Sequence, residues 1–249
     1  MLGNLASTYR SLGHPADALR LFEQALHVTE IALGPGHRDT AIRLGNLAAT
    51  YKDLGRHDDA LRLFERALRV TETALGPDHP DMGIRLGTLA ATYRALRRPH
   101  DALPLEQRAL QITEAALGPR HPDMGIRLAN LAATYRDLEQ PAEALPLAKQ
   151  ALQVTEAALG PDHPAVAIRL SNLAATYCTL ARPEAALPLD QRALRITEAA
   201  LGPDHPDVAI RLECLAATYR ALGDAAKAIP LQQRASRLRK AADGPPSMP

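Results

Sequence analysis

The sequence predicts an all-α chain of six stacked helical hairpins, and three observations predict it. Tyr9, Tyr51, Tyr93, Tyr135, Tyr177 and Tyr219 recur at a constant interval of 42 residues, each closing a phrase such as Leu47-Ala48-Ala49-Thr50-Tyr51. A second phrase, Leu75-Gly76-Pro77-Asp78-His79-Pro80, returns at Leu117 to Pro122, Leu159 to Pro164 and Leu201 to Pro206, with a degenerate copy at Leu33 to Arg38. Between these marks the apolar residues keep helical spacing. A fixed period with no insertion is the mark of a repeat array, in which one supersecondary unit buries its apolar face against the next.

The first helix of a unit, helix A, follows from Leu44, Leu47, Ala48, Tyr51 and Leu54, which fall at i, i+3, i+4, i+7 and i+10 on one helical face. It ends where Gly13, Gly55 and Gly223 can take a left-handed conformation at little cost. Arg97, Glu139 and Ala181 hold that place in the other units, so those joints are expected to be strained or to close by another geometry. Helix B follows from Ala102, Leu105, Ala109, Ile112 and Ala116, with Leu103, Leu110 and Leu117 widening the stripe. So broad a stripe must bury against two neighbours, which requires the next unit to stack on it. Pro104, Pro146, Pro188 and Pro230 are expected near the start of helix B, where a missing N–H matters least. Gly-Pro and His-Pro then stop helix B, and Pro80 and Asp81 suit the first turn of the next helix A.

The two ends differ. The first unit is truncated and opens at Met1, leaving an apolar edge that an upstream region or a second copy would cover. Near the other end, Ser236 and Asp243 replace the leucines of earlier units, a polar cap for the last helix. The array is expected over residues 1–240, with a disordered tail at 241–249.

Composition narrows the function. A formal net charge of +1, from 29 basic and 28 acidic residues, provides no long-range attraction for nucleic acid or an anionic membrane. Few aromatic residues are available to stack on bases, and the tyrosines are explained by helix packing. No segment reads as a signal peptide or a membrane span. Cys178 and Cys214 offer no disulfide framework, which fits a reducing, cytoplasmic setting. They lie at different levels of neighbouring A helices, so neither a disulfide nor a metal pair is expected. His37, His79, His121, His163 and His205 are turn residues, too far apart on stacked units to share a zinc ion. No phosphate loop, His-Glu-x-x-His or Gly-x-Ser-x-Gly motif occurs, so the expectation is a non-catalytic chain without cofactor or metal.

The Leu, Leu-Ala and Tyr of helix A, with the Ala and Ala-Leu of helix B, resemble the tetratricopeptide repeat. The period and the Leu-Gly-Pro-Asp-His-Pro joint are similar to the long-repeat variety of kinesin light chains and many bacterial proteins. The resemblance covers nearly every residue to about Lys240. It implies a right-handed superhelical solenoid of six helix-turn-helix repeats, whose A helices line a concave channel accepting extended peptide segments. Carried onto this chain, the channel positions are Asn4, Asn46, Thr88, Asn130 and Asn172, with Cys214 in the last repeat. An amide side chain can donate to and accept from the backbone of any extended peptide. The residues after the tyrosines, Arg10, Lys52, Arg94, Arg136 and Arg220, would add cations favouring acidic segments or a C-terminal carboxylate, with Cys178 interrupting the line.

Gly45, Gly87, Ala129 and Ser171 keep side chains short beside the amides, which would admit a ligand backbone, and Glu213 reverses this. Two departures from kinesin light chains prevent a carry-over of cargo preference. Only the second of their paired asparagines is kept, and Glu106, Ala148, Asp190 and Gln232 stand where Phe22 and Phe64 keep an aromatic. The asparagines can also be read as helix-surface residues without a ligand. Arg43, Arg85, Arg127, Arg169 and Arg211 on the A helices are expected to pair with Glu30, Glu72, Glu114, Glu156 and Glu198 late in the B helices before them, or to meet a partner. The sequence therefore points to a module that binds an extended, acidic protein segment. Its alternative is an oligomeric scaffold or the sensor fragment of a larger signalling protein, self-associating through the first repeat.

Overall fold

A computed structural model describes residues 2–242 of the chain, and twelve helices among them pair as six A–B hairpins. The chain divides into two compact units at Gly118 and Pro119. In the first unit the A helices are α1 (Leu2–Ser11), α3 (Arg38–Asp53) and α5 (Pro80–Ala95), and the B helices are α2 (Pro15–Leu33), α4 (His57–Leu75) and α6 (Pro99–Leu117). In the second they are α7 (Pro122–Asp137), α9 (Pro164–Thr179) and α11 (Pro206–Ala221), with α8 (Pro141–Leu159), α10 (Pro183–Leu201) and α12 (Ala225–Ala242). Within each unit every helix packs on the next, and in the second unit α9 also packs directly on α7 and α11. Ala241 and Ala242, expected in the tail, close α12, and residues 243–249 of the expected tail lie outside the described residues. Asp243 of the expected cap lies outside the described residues.

The joints account for the helix boundaries. Each B-to-A joint ends on a histidine whose Nδ1 accepts the N–H two residues on, as His163 does from Ala165 at 3.1 Å. His37, His79, His121 and His205 cap α3, α5, α7 and α11 in the same way. The turn histidines are thus N-caps, satisfying one of the donors that the first helical turn leaves open. At the A-to-B joints Gly55 has φ +72°, and Arg97, Glu139 and Ala181 are held at +58°, +59° and +54°. All three non-glycine residues take the left-handed geometry rather than another ending. The bond from the Arg98 N–H to the Tyr93 carbonyl, 2.9 Å, closes that turn as its counterpart from Arg56 to Tyr51 does.

Alanine sets the approach of the two helices in each hairpin. Ala48 and Ala60 share one core cluster, and Ala132 and Ala144 share another. The counterparts Ala18, Ala102, Ala186 and Ala228 are buried as well. Leucines flank these crossings, with Leu44, Leu170 and Leu212 fully enclosed. A larger side chain at an alanine crossing would force the helices apart.

Several sequence expectations need correction. The helix B stripe ends early: Ala116 and Leu117 are exposed. Pro104 is the sixth residue of α6, beyond the turn whose N–H groups lack partners, so it removes an internal hydrogen bond there; Pro146 and Pro188 repeat this in α8 and α10. Glu30 pairs with Arg66, not with Arg43. Glu156 and Glu198 likewise meet Arg192 and Arg234, each at 2.6 Å. The ladder therefore runs from one B helix to the next, 36 residues apart, because the arginine reaches back over the joint to the Pro161 or Pro203 carbonyl. These partly exposed pairs are worth about 0–1 kcal/mol each.

Candidate functional site

One strip of the A helices stays uncovered by the B helices, interrupted on α7 by the buried Ala133. On α9 it consists of Ile168, Asn172, Ala175 and Thr179, and on α5 of Ile84, Thr88, Ala91 and Ala95. The spacing i, i+4, i+7, i+11 places these residues on one face. The hydroxyl of Thr88 confirms the alignment by donating to the Ile84 carbonyl at 2.9 Å.

The candidate amides stand on this strip. Asn4 is exposed, and Asn46, Thr88, Asn130 and Asn172 are half-buried, as is Cys214 in the last repeat. Beneath three of the asparagines a buried threonine one turn on donates back to the asparagine carbonyl: Thr50 to Asn46 at 3.0 Å, Thr134 to Asn130 at 3.2 Å and Thr176 to Asn172 at 2.9 Å. The backbone under the amides is thereby tied down. The side-chain amides themselves engage no other protein group among the described residues.

The candidate cations are less uniform than the sequence suggests. Lys52 and Arg220 are exposed, while Arg10, Arg94 and Arg136 are half-buried. Arg10 leans toward Asp53 at 3.7 Å and lies 5.9 Å from the Phe22 ring centre. Arg136 laces α7 to α9, its Nη1 donating to the Asn172 carbonyl at 2.8 Å. Cys178, at the same place one repeat later, brings its Sγ within 3.5 Å of the Thr218 Oγ1 on α11. Both cysteines are free thiols.

Gly45, expected to hold space open for a ligand, and Gly3 at the same place in the first repeat are instead covered by arginine side chains. A Cβ on Gly3 would lie 2.4 Å from Nη1 of Arg43, and one on Gly45 would lie 2.6 Å from Nη1 of Arg85. Arg43 and Arg85 therefore lay their guanidinium groups on the preceding A helix, where a methyl group at Gly3 or Gly45 would meet them. Arg127 and Arg169 are buried at the same register, and burial pulls Arg85 and Arg169 below the ordinary arginine value.

Two features escaped the sequence reading. Ile84, Ile126, Ile168 and Ile210 are exposed large apolar residues on the strip. Their recurrence two positions before the first leucine of helix A was visible, but they fall off the stripe that the leucines and tyrosine define. The second feature is Asp190, which is 2 % exposed at the place where Phe22 and Phe64 sit in earlier repeats. Its Oδ2 accepts from Thr218 at 2.6 Å, and its Oδ1 has no partner. Burial pushes this carboxyl up to about 6, against the opposing effects of Thr218 and Arg211. Burial and the neighbouring Asp190 also push the Cys214 thiol up.

No helix among the described residues is long and apolar enough to cross a membrane. A tetratricopeptide repeat family model matches residues 1–73, 44–115, 86–157, 124–199 and 170–241. No curated protein matches the sequence. Among solved structures, the chain is similar to the nearly identical TPR-like repeats of a kinesin light chain-like protein of Podosopora anserina, with 24% identity, a TM-score of 0.69, and coverage of 80% of this chain and 93% of that one. It is similar to BtubC (BKLC) from P. vanneervenii at 24% identity and a TM-score of 0.71, over 94% of this chain and 93% of that one. It is also similar to a Rap protein complexed with competence and sporulation factor, at 13% identity and a TM-score of 0.66, over 97% and 75%. At these identities the likeness is one of fold.

Proposed function

The chain belongs to the tetratricopeptide repeat family, a scaffold for protein–protein interaction, and from that premise we propose that it is a non-catalytic module binding an extended, acidic protein segment along the exposed strip of its A helices. The observation that carries this reading is the unengaged state of the Asn46, Asn130 and Asn172 amides over backbone that buried threonines hold in place. A half-buried amide without a protein partner is set to exchange its remaining water for the N–H and C=O of an extended ligand. The acidic preference rests on the exposed ammonium of Lys52 and guanidinium of Arg220. The Rap protein in complex with competence and sporulation factor lends support as a ligand-bound example of this fold.

A second reading, self-association through the first repeat, draws on Leu5 and Tyr9, which are exposed on α1 where their counterparts Leu47 and Tyr51 are buried and half-buried. One experiment separates the two readings. A displayed peptide library is panned on the purified protein and on a variant with Asn46, Asn130 and Asn172 all changed to Ala. Acidic peptides enriched by the parent, and bound at least tenfold more weakly by an equally helical variant, are the expected result. No enrichment, or equal binding by the variant, overturns the peptide-binding reading and turns attention to α1, where sedimentation velocity reads the assembly state.

A further inference from the structure

In the second unit the A helices α7, α9 and α11 are direct neighbours, and each presents an isoleucine at the same repeat position to solvent. Ile126 is 38% exposed, and Ile168 and Ile210 are each 43% exposed. Four residues on, and so on the same face, follow Asn130, Asn172 and Cys214. The B helices pack on the opposite side, where Leu128, Leu170 and Leu212 are buried. The unit thus carries a row of three branched apolar side chains, one per helix, with amides beside the first two.

The interval of that row restricts what can lie along it. Helices packed side by side are about 8–10 Å apart. An extended β-strand returns a side chain to the same face every second residue, about 6.6–6.8 Å, which falls short of that spacing by roughly 1–3 Å at every step. A polyproline II segment has three residues per turn and a rise of about 3.1 Å, so every third side chain recurs on one face after about 9.3 Å. It keeps register with helices at this spacing. An α-helix returns an apolar residue after seven positions, about 10.5 Å, but its backbone groups are satisfied internally and offer the amides nothing. The polyproline II backbone makes no internal hydrogen bonds, so its N–H and C=O groups are open to the unengaged amides of Asn130 and Asn172.

We infer that the exposed strip of α7, α9 and α11 takes a polyproline II segment of a partner protein bearing an apolar side chain at every third position. This rests on the reading of the A helices as the peptide-binding face. The apolar residues of the segment seat on Ile126, Ile168 and Ile210, and the intervening residues, acidic or proline, lie to either side of that row.

The test uses the full chain and three labelled peptides of equal length and equal leucine content. One places leucine at every third position in a proline- and glutamate-containing host, one at alternate positions in a threonine and glutamate host, and one at heptad spacing in an alanine and glutamate host. Fluorescence anisotropy should show the period-three peptide binding at least tenfold more tightly than the other two. Ile126, Ile168 and Ile210 changed together to Ala should weaken it at least tenfold with the helical circular dichroism unchanged, since alanine is the stronger helix former at exposed positions. If the alternating or heptad peptide binds most tightly, and Asn130→Ala with Asn172→Ala weakens that binding, the period-three inference fails while the A-helix face stands. If no peptide is sensitive to either the isoleucines or the asparagines, both fail.

Discussion

Asp190 supplies the sharpest quantitative test of the packing described above. Its carboxyl replaces a core phenylalanine, is 2 % exposed, and receives one hydrogen bond, from Thr218, while its second oxygen accepts none. Burial lifts its pKa from 3.8 to about 6. Well below pH 3.8 the group is protonated in both the folded and unfolded chain, and its ionisation costs nothing. Between pH 4 and 6 the folded state holds a proton that the unfolded state releases, so stability falls as pH rises and the loss is complete above about pH 6. A rise from 3.8 to about 6, at about 1.36 kcal/mol for each pH unit, amounts to roughly 3 kcal/mol. Asp190→Asn keeps an oxygen for Thr218 and cannot ionise. In urea titrations followed by helical circular dichroism, the variant should match the parent within about 0.5 kcal/mol at pH 4 and exceed it by about 2–3 kcal/mol at pH 7. A difference that stays constant between these pH values, or a parent more stable at pH 7, would refute the assignment of a buried, costly charge to this position.

Two further outcomes follow from the joints. Ala181 is held at φ +54°, where an L-residue costs about 1–2 kcal/mol, partly offset by the extra freedom that glycine has when unfolded. Ala181→Gly should therefore raise stability by about 0.5–1 kcal/mol, visible as a higher thermal midpoint, and a lower midpoint would show that the left-handed turn is not strained. His163→Ala removes the acceptor for the Ala165 N–H at the start of α9. It should cost about 1 kcal/mol and speed hydrogen exchange at Ala165, with His163→Asn restoring most of the loss; unchanged exchange would deny the cap its role.

The sequence determined by itself the repeat, its joints and the buried face of helix A. The 42-residue return of tyrosine marks six units, the Leu-Gly-Pro-Asp-His-Pro joint places the breaks between helices B and A, and the leucine spacing marks the buried face of helix A. It also located Arg97, Glu139 and Ala181 as the irregular joints, which the positive φ angles confirm. These properties follow from a fixed rotation and rise per residue, so spacing alone reveals them. Tertiary structure decided what lies opposite each face. Glu30 meets Arg66 rather than Arg43, Arg43 covers Gly3, Arg136 spends a donor on the α9 backbone, and Ile168 is left in water although its type suggests a core. Asp190 carries no mark in the sequence that sets its pKa, because the cause is the enclosure supplied by neighbouring helices. Cross-helix partners depend on how far one repeat is offset against the next, and that offset is set by the packing of alanine and leucine ridges between helices, not by any interval within one.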